Sequence, residues 1–458
     1  LKNRPSCAMV GSWKTVYIFM ERAMKHCHQL ILTTLLSLGM AASAQAFDLN
    51  EAVQAARNYD AGYAGARATL QAGQEKAVQG RAQLRPTVGL SASVTRTDAM
   101  KPDIDAYTGR SVGVQLSQPL FDIASYGAYK KGLIASELSG VQFDAATQQL
   151  IASVARAYFD VLLAEDVLNV TQATKKAYDR QLAQAKKAFE VGTATITDTH
   201  EAQAGYDAAQ AKEIAAVSDL EIKRNTLANL TGLPPERINR LHNEKALGNG
   251  DIGALDSWIA RGEAGSLALK SALQQQLLAE RTLEDARGKH LPTVNLTAGL
   301  SDEYSNSPSS KASKQQHTRG NSLGLNLSMP LYAGGAISSQ VTEAAANLDK
   351  AREDVEAARR QVRLDVRRAW LGVSNGAALV KAQEQLLVSA KSKLDSTRLG
   401  KDVGVRTNLD LLNAERDYQD AVRGLAEARY NYLYARLSLA QAAGELDDKV
   451  VADINRFF

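Results

Sequence analysis

Two short motifs have the residue types and spacing of cofactor-binding or catalytic loops. Residues 248–253 match G-x-G-x-x-G, the dinucleotide-binding fingerprint, but no hydrophobic strand precedes them and they open no βαβ unit, so a plain loop is predicted. Residues 372–376 match G-x-S-x-G, the nucleophile elbow, which requires a strand before the serine and a helix after it. They lie inside a long predicted helix, where a local kink is the better interpretation. Neither motif therefore predicts an active site.

The histidines do not predict a metal site. Beyond residue 46 they are His200, His242, His290 and His317, and none has a second histidine at ligand spacing. With no catalytic constellation and no metal-binding pattern, we predict a protein that is not an enzyme and that needs no cofactor.

The first 46 residues have the features of a leader and signal peptide. An apolar run over residues 30–42 follows basic residues and leads to Ala44-Gln45-Ala46, the small-x-small pattern that signal peptidase cleaves. The alternative, an uncleaved anchor, is disfavoured because a run of about 13 residues is shorter than the roughly 20 that a spanning helix needs. We predict an exported protein with Phe47 as its first mature residue.

Composition beyond the leader excludes several classes of protein. The chain has a formal charge of +4, but the leader holds five basic residues against one acidic residue, so the mature chain is formally neutral and nucleic acid is not a predicted partner. Cys7 and Cys27 also lie in the leader, which leaves no disulfide framework and no thiol chemistry. Abundant alanine, leucine, glutamine and charged residues with little proline favour long helices.

The chain is an internal duplication with an offset of about 206 to 212 residues. Matching segments recur in the same order in both halves. They are Arg85-Pro86-Thr87-Val88 with Leu291-Pro292-Thr293-Val294, Pro119-Leu120-Phe121 with Pro330-Leu331-Tyr332, Arg156-Ala157-Tyr158 with Arg368-Ala369-Trp370, and Val191-Gly192 with Val403-Gly404. Each half is predicted to contain a short helix, two strands, a very long helix, a tight turn and a medium helix.

Four short segments, two in each half, are predicted strands. They lie within residues 86–120 and 292–330, and apolar side chains alternate strictly with polar ones. This pattern is typical of outer-membrane barrels, whose strands of about 10 residues are apolar toward lipid and polar toward the lumen. The alternative is a soluble hairpin with one solvent-exposed face. Four strands that repeat in both halves of an exported chain disfavour this alternative. The polar stretches 98–109 and 302–320 are predicted extracellular loops.

Long helices account for most of the remaining chain. Stretches 122–192 and 335–403 each predict a helix of about 70 residues, or roughly 105 Å. Shorter helical stretches are 49–84, 197–230, 266–290 and 407–444. The last of these carries a heptad of apolar residues that is typical of a coiled-coil seam. Its members are Leu411, Ala414, Tyr418, Ala421, Leu425, Ala428, Tyr432, Ala435 and Leu439.

The fold class that these patterns predict is mainly α with a membrane β-barrel portion. The predicted parts are a leader over 1–46, a first repeat over 47–230, an equatorial region over 231–265, a second repeat over 266–444 and a tail over 445–458. A bacterial barrel needs at least about 8 strands and one chain supplies four, so several chains must share one barrel. Two chains would give a lumen filled by side chains, and three would give an open pore.

At this point the chain resembles a known family. Three features are similar to those of the TolC family of outer-membrane channel-tunnels. They are the Val-Gly turns, the Pro-Leu-Phe/Tyr sequences at the ends of strands, and the run Val-Gly-Val-Arg-Thr-Asn-Leu-Asp from Val403 to Asp410. The resemblance covers nearly all of residues 47–446. It implies a homotrimer with a shared twelve-stranded barrel in outer-membrane lipid and a helical barrel in the periplasm.

The resemblance also implies a function and partners. The expected function is the exit duct for tripartite drug efflux, type I protein secretion or both. The expected partners are a periplasmic adaptor (membrane fusion protein) and an inner-membrane transporter. Two alternatives stay open from the residues alone: a periplasmic adaptor, which also has long helical hairpins, and a secreted coiled-coil structural protein.

Two positions of a pore constriction, Asp410 and Asn413, follow from the resemblance. Family members carry acids at the turn matching Asp410, where they form a ring that selects cations, and a well-known member has a second acid three residues later. Here that position is Asn413, so a double acidic ring and tight block by multivalent cations are not predicted. The alternative for Asp410 is an ordinary acid at a helix N-terminus, favoured there by the helix dipole.

A latch between the two turn regions also follows from the resemblance. It maps Arg406 opposite Thr197 and Asp198 of the first-half turn, and Lys401 stands where a well-known member has a tyrosine. An arginine can donate charge-assisted hydrogen bonds to a carboxylate, and a lysine can form a flexible ion pair with it. The alternative is that these are ordinary surface charges near a loop.

Overall fold

The computed structural model describes residues 46–98, 106–235, 238–242, 252–305 and 316–458. The predicted leader, apart from Ala46, lies outside these residues. So do residues 248–251 of the glycine motif and the central parts of both predicted extracellular loops.

The chain divides into a small unit, which comprises residues 1–47 and 237–239, and a large unit with all the others. In the described part of the small unit, Phe47 pairs with Ile238 in a parallel bridge, and the Asn239 N–H donates to the Phe47 carbonyl at 3.1 Å. All elements below belong to the large unit.

The described part of the large unit is built from helices joined to one small sheet. In chain order the elements are α1 (Leu49–Tyr59), α2 (Ala61–Ala82), β1 (Thr87–Thr97), β2 (Tyr107–Phe121), α3 (Ile123–Glu190), α4 (Ile196–Thr231), α5 (Leu255–Gly265), α6 (Leu267–Gly288), β3 (Thr293–Ser305), β4 (Gln316–Ser328), α7 (Ala336–Asp402), α8 (Asn408–Ala442) and α9 (Asp448–Asn455). This order confirms the duplicated plan of strands, long helix, turn and medium helix.

The two long helices match the predicted lengths. Helix α3 has 68 residues and α7 has 67, so each is about 100 Å long. The turns that follow them place Gly192 at φ 76° and Gly404 at φ 79°, where a residue with a side chain would be strained. The tight Val-Gly turns predicted from the repeat are therefore confirmed.

One helix prediction is wrong in detail. The stretch 49–84 is two helices, because Asp60 adopts an extended conformation between them. The Asp60 N–H donates to the Ala56 carbonyl at 2.8 Å and closes α1, while its carboxylate accepts from the Tyr63 N–H at 2.6 Å and begins α2. An aspartate satisfies the free N–H groups of a helix start better than it continues a helix.

The four strands form one antiparallel sheet in the order β1-β2-β3-β4. Each half contributes one hairpin, and the pairing of β2 with β3 joins the two halves. Leu90 lies beside Val114, which lies beside Leu300, so apolar side chains of neighbouring strands share one face. The register is irregular between Pro119 and Phe121, where the proline has no N–H for the ladder.

Helix packing follows the predicted seams. Six of the nine heptad residues of α8 are buried, including Ala414 and Leu439, and α8 packs against α7. Helix α7 has a buried row of its own, Val362, Val366, Val373 and Val380, of which Val362 and Val366 lie close to Gly262 of α5. Helix α3 packs against α2, α4, α6 and α8. Among the described residues, none of the helices is both long enough and apolar enough to cross a bilayer.

Candidate functional site

The sheet has two chemically opposite faces. One face carries the apolar residues of all four strands, and the other carries small polar residues that hydrogen bond across strands. On the polar face the Ser93 and Ser111 hydroxyls lie 2.8 Å apart, and Asn326 Nδ2 donates to Thr297 Oγ1 at 3.2 Å. The alternation predicted from sequence is thus preserved by the observed register.

The apolar face is not covered within the protomer. Leu90 is 76% exposed, Leu323 is 78% exposed and Leu327 is 70% exposed. A contiguous apolar surface of this kind marks contact with a membrane or another protein. An apolar face opposite a polar face suits a wall between lipid and an aqueous lumen.

The far ends of the long helices form a second region of interest, where the two halves of the duplication present equivalent turns. Thr195 and Asp198 begin α4 in the same way that Thr407 and Asp410 begin α8. In each capping box the threonine N–H donates to the carboxylate, at 2.9 Å to Asp198 and 3.0 Å to Asp410. The predicted constriction acid and the predicted latch acid therefore occupy the same position in the two halves.

Capping also sets the charge of both acids. Hydrogen bonds from Thr195 lower the pKa of Asp198 below the usual 3.8, with a smaller contribution from the charge of Lys401. Hydrogen bonds from Thr407 lower the pKa of Asp410 in the same direction, with a smaller contribution from Arg406. Both carboxylates are therefore charged at neutral pH.

A hydrogen-bonded cluster at this end joins the two halves. Gln181 of α3, which is buried, donates through Nε2 to Asn408 Oδ1 of α8 at 2.8 Å. Lys401 of α7 donates to the same oxygen at 3.0 Å. Burial lowers the pKa of Lys401, and the carboxylates of Asp402 and Asp198 partly offset that effect. No sequence pattern predicts the contact between Gln181 and Asn408, because their positions differ by 227 residues.

The other predicted site residues lie on the surface. Arg406 is exposed, its stem packs over Gly400, and it has no ion pair with Asp198 among the described residues of the protomer. Thr197 is exposed in the first turn of α4, and Asn413 is half-buried one turn beyond Asp410. Within one protomer, it is Lys401 whose charge acts on Asp198.

The two motifs that match cofactor-binding or catalytic loops form no catalytic site in the described part of the chain. Residues 372–376 lie within the continuous helix α7, where Gly372 and Gly376 face α8 next to Ala435 and Tyr432. Of the glycine-rich motif, only Gly253 is described among its glycines, at φ 71°. No three His, Cys, Asp or Glu residues within the described ranges come together as metal ligands.

A groove of about 560 Å³ runs between α3, α4 and α8. Its lining combines small and apolar residues such as Val170 and Ala209 with charges of both signs. The charged residues are Lys212, Asp219, Arg416, Asp420 and Arg423. The groove lies on the helices that lead to the turns, so a protein docked in it would touch the helices that carry Asp198 and Asp410.

A two-faced sheet that continues into paired long helices ending in charged turns defines a membrane channel protomer. The model of the outer membrane efflux protein family matches residues 52–233 and 258–445, and the chain belongs to this family. The chain is 34% identical over 431 residues to the outer membrane protein TolC of Salmonella enteritidis, covering 93% of this chain and 87% of the relative.

Two further likenesses agree with the family. The chain is 30% identical over 450 residues to the proteases secretion protein PrtF of Dickeya chrysanthemi, covering 94% of this chain and 95% of the relative. The crystal structure of the outer membrane protein VceC from Vibrio cholerae superposes with a TM-score of 0.73 at 19% identity, covering 87% of this chain and 97% of the other. The structural likeness supports the fold.

The protein is therefore an outer-membrane channel of the efflux and type I secretion kind. The predicted fold class, family and location are confirmed. Neither the family nor these relatives support the adaptor or coiled-coil alternatives.

Proposed function

We propose that three copies of this chain form one duct, in which each contributes four strands to a twelve-stranded barrel. The observation that carries this assembly is the four-stranded sheet, whose outer strands β1 and β4 each pair on one side only in the described residues. Lipid cannot satisfy the free backbone groups of such edges, so the sheet must close with its copies. Native mass spectrometry of the detergent-solubilised protein tests the stoichiometry, and a monomer or dimer would contradict it.

We infer that the duct transports its cargo and does not catalyse a reaction. The energy for export then comes from an inner-membrane transporter, and a periplasmic adaptor connects that transporter to the duct. The groove between α3, α4 and α8 supports this proposal, because its apolar surface and its charges of both signs fit a helical hairpin whose apolar face is flanked by complementary charges. Drugs and proteins are both possible cargoes of such a duct.

The adaptor proposal gives a crosslinking prediction. Residues 47–458 contain no cysteine, so Ala215→Cys and Gln419→Cys each place one thiol at the groove. Both variants, treated with a thiol-to-amine crosslinker in cells, should capture a periplasmic adaptor. Ala346→Cys, on an exposed part of α7 outside the groove, is the matched control. Capture by the control at the same yield would contradict docking in the groove.

We also propose that Asp410 lines the periplasmic constriction. Three Asp410 carboxylates around a threefold axis would attract cations and repel anions. Asp410→Asn should therefore bring the ratio of cation to anion permeability close to one in single-channel recordings. The amide oxygen can still accept the hydrogen bond from the Thr407 N–H, so the helix cap survives. An unchanged cation preference would contradict this role.

A variant that adds a negative charge tests the same proposal from the opposite direction. Asn413 lies one turn beyond Asp410 on α8, so the two side chains share one helix face. Asn413→Asp would add a second acidic ring, and block by multivalent cations should tighten relative to the parent. If Asp410→Asn and Asn413→Asp both behave like the parent, the constriction lies elsewhere.

A latch between the two turn regions completes the proposal, with Lys401 acting on Asp198 within a protomer and Arg406 reaching the first-half turn of a neighbouring protomer. In this latch the positive charges of Arg406 and Lys401 attract the Asp198 carboxylate, and the Thr197 hydroxyl accepts a hydrogen bond. Asp198 is negatively charged and half-buried, and Arg406 is exposed with its guanidinium available to a partner. Such contacts are weak enough for a docked adaptor to break them.

A further inference from the structure

The apolar face of the sheet ends in a cluster of arginines at the hairpin end. Arg96, Arg110 and Arg319 lie on the same face as Leu90, Val114 and Leu323, because each differs from those residues by an even number of positions along its strand. All three arginines are exposed. We propose that this cluster binds the phosphate groups of a phosphorylated lipid in the outer leaflet of the membrane.

The register brings the three arginines close together. Arg110 lies directly opposite Val94, so Arg96 is its diagonal neighbour across the β1–β2 pair. Arg319 lies opposite Asp302, which in turn lies opposite Val112, two residues from Arg110. Diagonal neighbours in a sheet are about 7–8 Å apart, which applies to Arg96 and Arg110. Arg319 lies two strands from Arg110, about 12 Å away by strand spacing and rise, a gap that two long side chains can span. One lipid headgroup with two phosphates can therefore contact more than one arginine.

Each arginine keeps donors for an outside ligand. Arg319 donates to Asp302 through Nε at 2.8 Å, and Arg96 approaches Asp98 through Nε at 3.5 Å. Bonds through Nε leave both terminal amino groups of a guanidinium available, and these bind phosphate in a bidentate manner. Arg110 has no ion pair with any described residue. The two carboxylates thus orient arginines without occupying their phosphate-binding edge.

The cluster lies at the height where a lipid headgroup would be. The helices leave the sheet at its opposite end, so in an outer-membrane channel with periplasmic helices the hairpin end faces outward. Along β3 the apolar row from Val294 to Leu300 spans about 20 Å before Asp302 replaces it. Tyr304 follows two residues later, and aromatic residues are typical of the interface between hydrocarbon and headgroups. This placement favours a lipid phosphate over a protein ligand.

Lipid binding to the purified channel tests the proposal. The probe is lipid A with two phosphate monoesters, titrated into the detergent-solubilised protein and followed by native mass spectrometry. Arg110→Gln combined with Arg319→Gln should weaken binding about 30-fold, because one arginine near an anionic lipid surface contributes a factor of about 5. Arg352→Gln combined with Arg368→Gln removes two exposed arginines of α7 and should leave binding unchanged.

Four outcomes overturn the proposal. They are equal weakening by both double variants, equally tight binding of fully dephosphorylated lipid A, equally tight binding of inorganic phosphate, and no effect of the Arg110 and Arg319 changes. The third outcome would identify a site for a free anion. The proposal rests on the orientation of the sheet in the membrane. The same spectra report stoichiometry separately, so lipid binding by a protein that is not a trimer would contradict the proposed assembly alone.

Discussion

Leu325→Arg is expected to prevent assembly of the membrane barrel. Leu325 is 65% exposed on the apolar face and pairs with Leu296 in the middle of that face. An arginine at the bilayer midplane of a barrel costs about 2–4 kcal/mol, and a trimer bears this cost three times. Leu90→Arg, on the same face of β1, should have the same effect. The measurement is the yield of trimer in the outer-membrane fraction, seen as a heat-modifiable band on gels.

The neighbouring residue of β1 provides the matched control. Ser91 lies on the polar face, where its hydroxyl donates to the Gly113 carbonyl at 3.4 Å. Ser91→Arg adds the same charge one position along the strand but points it toward the lumen, where water solvates it. Trimer yield should fall far less than for Leu90→Arg. Equal yields for the three variants would mean that the apolar face does not contact lipid.

Loss of the proposed latch should hold the duct open. Arg406→Ser combined with Asp198→Asn removes both charges while the amide oxygen at position 198 can still accept from the Thr195 N–H. Asp198→Ala is a less specific change, because it also removes the helix cap. Exposed contacts contribute about 0–1 kcal/mol each, so three copies could shift the ratio of open to closed channels by up to about 100-fold.

Two measurements check the latch prediction. Single-channel conductance of the double variant should rise, and cells that carry it should become sensitive to large antibiotics that the parent excludes. Arg352→Ser with Asp349→Asn breaks an exposed ion pair of 3.0 Å within α7 and should change neither result. A double variant that conducts like the parent would leave the Gln181–Asn408–Lys401 cluster as the stronger candidate for holding the turns together.

The turns also have a defined dependence on pH. The folded pKa of Asp198 and of Asp410 is lowered, so each carboxylate contributes stability that is fully present above the unfolded value near 3.8. That contribution is lost as the pH falls through the lower folded pKa. At the neutral pH of ordinary recordings both Asp198 and Asp410 are charged. The effects of Asp198→Asn and Asp410→Asn on the channel therefore measure the loss of a negative charge and not a change in protonation.

The sequence by itself determined the two-faced strands, the lengths of the long helices and the positions of the tight turns. Each of these is a local property. Strict alternation makes one face of β1 apolar, absence of proline keeps α3 continuous, and Gly192 and Gly404 allow a backbone conformation that other residues avoid. The internal duplication in the sequence predicts the same elements in the same order in the second half.

Only the tertiary structure decided which side chains meet. Gln181 and Asn408 are 227 positions apart, and no pattern along the chain connects a buried glutamine of one half with a capping turn of the other. The break at Asp60 depended on its side chain competing for the N–H of Tyr63 rather than continuing the helix. The arginine cluster required the β2–β3 pairing, which brings Arg110 of one half beside the Asp302–Arg319 pair of the other, because sheet register is set by contacts between segments distant in sequence.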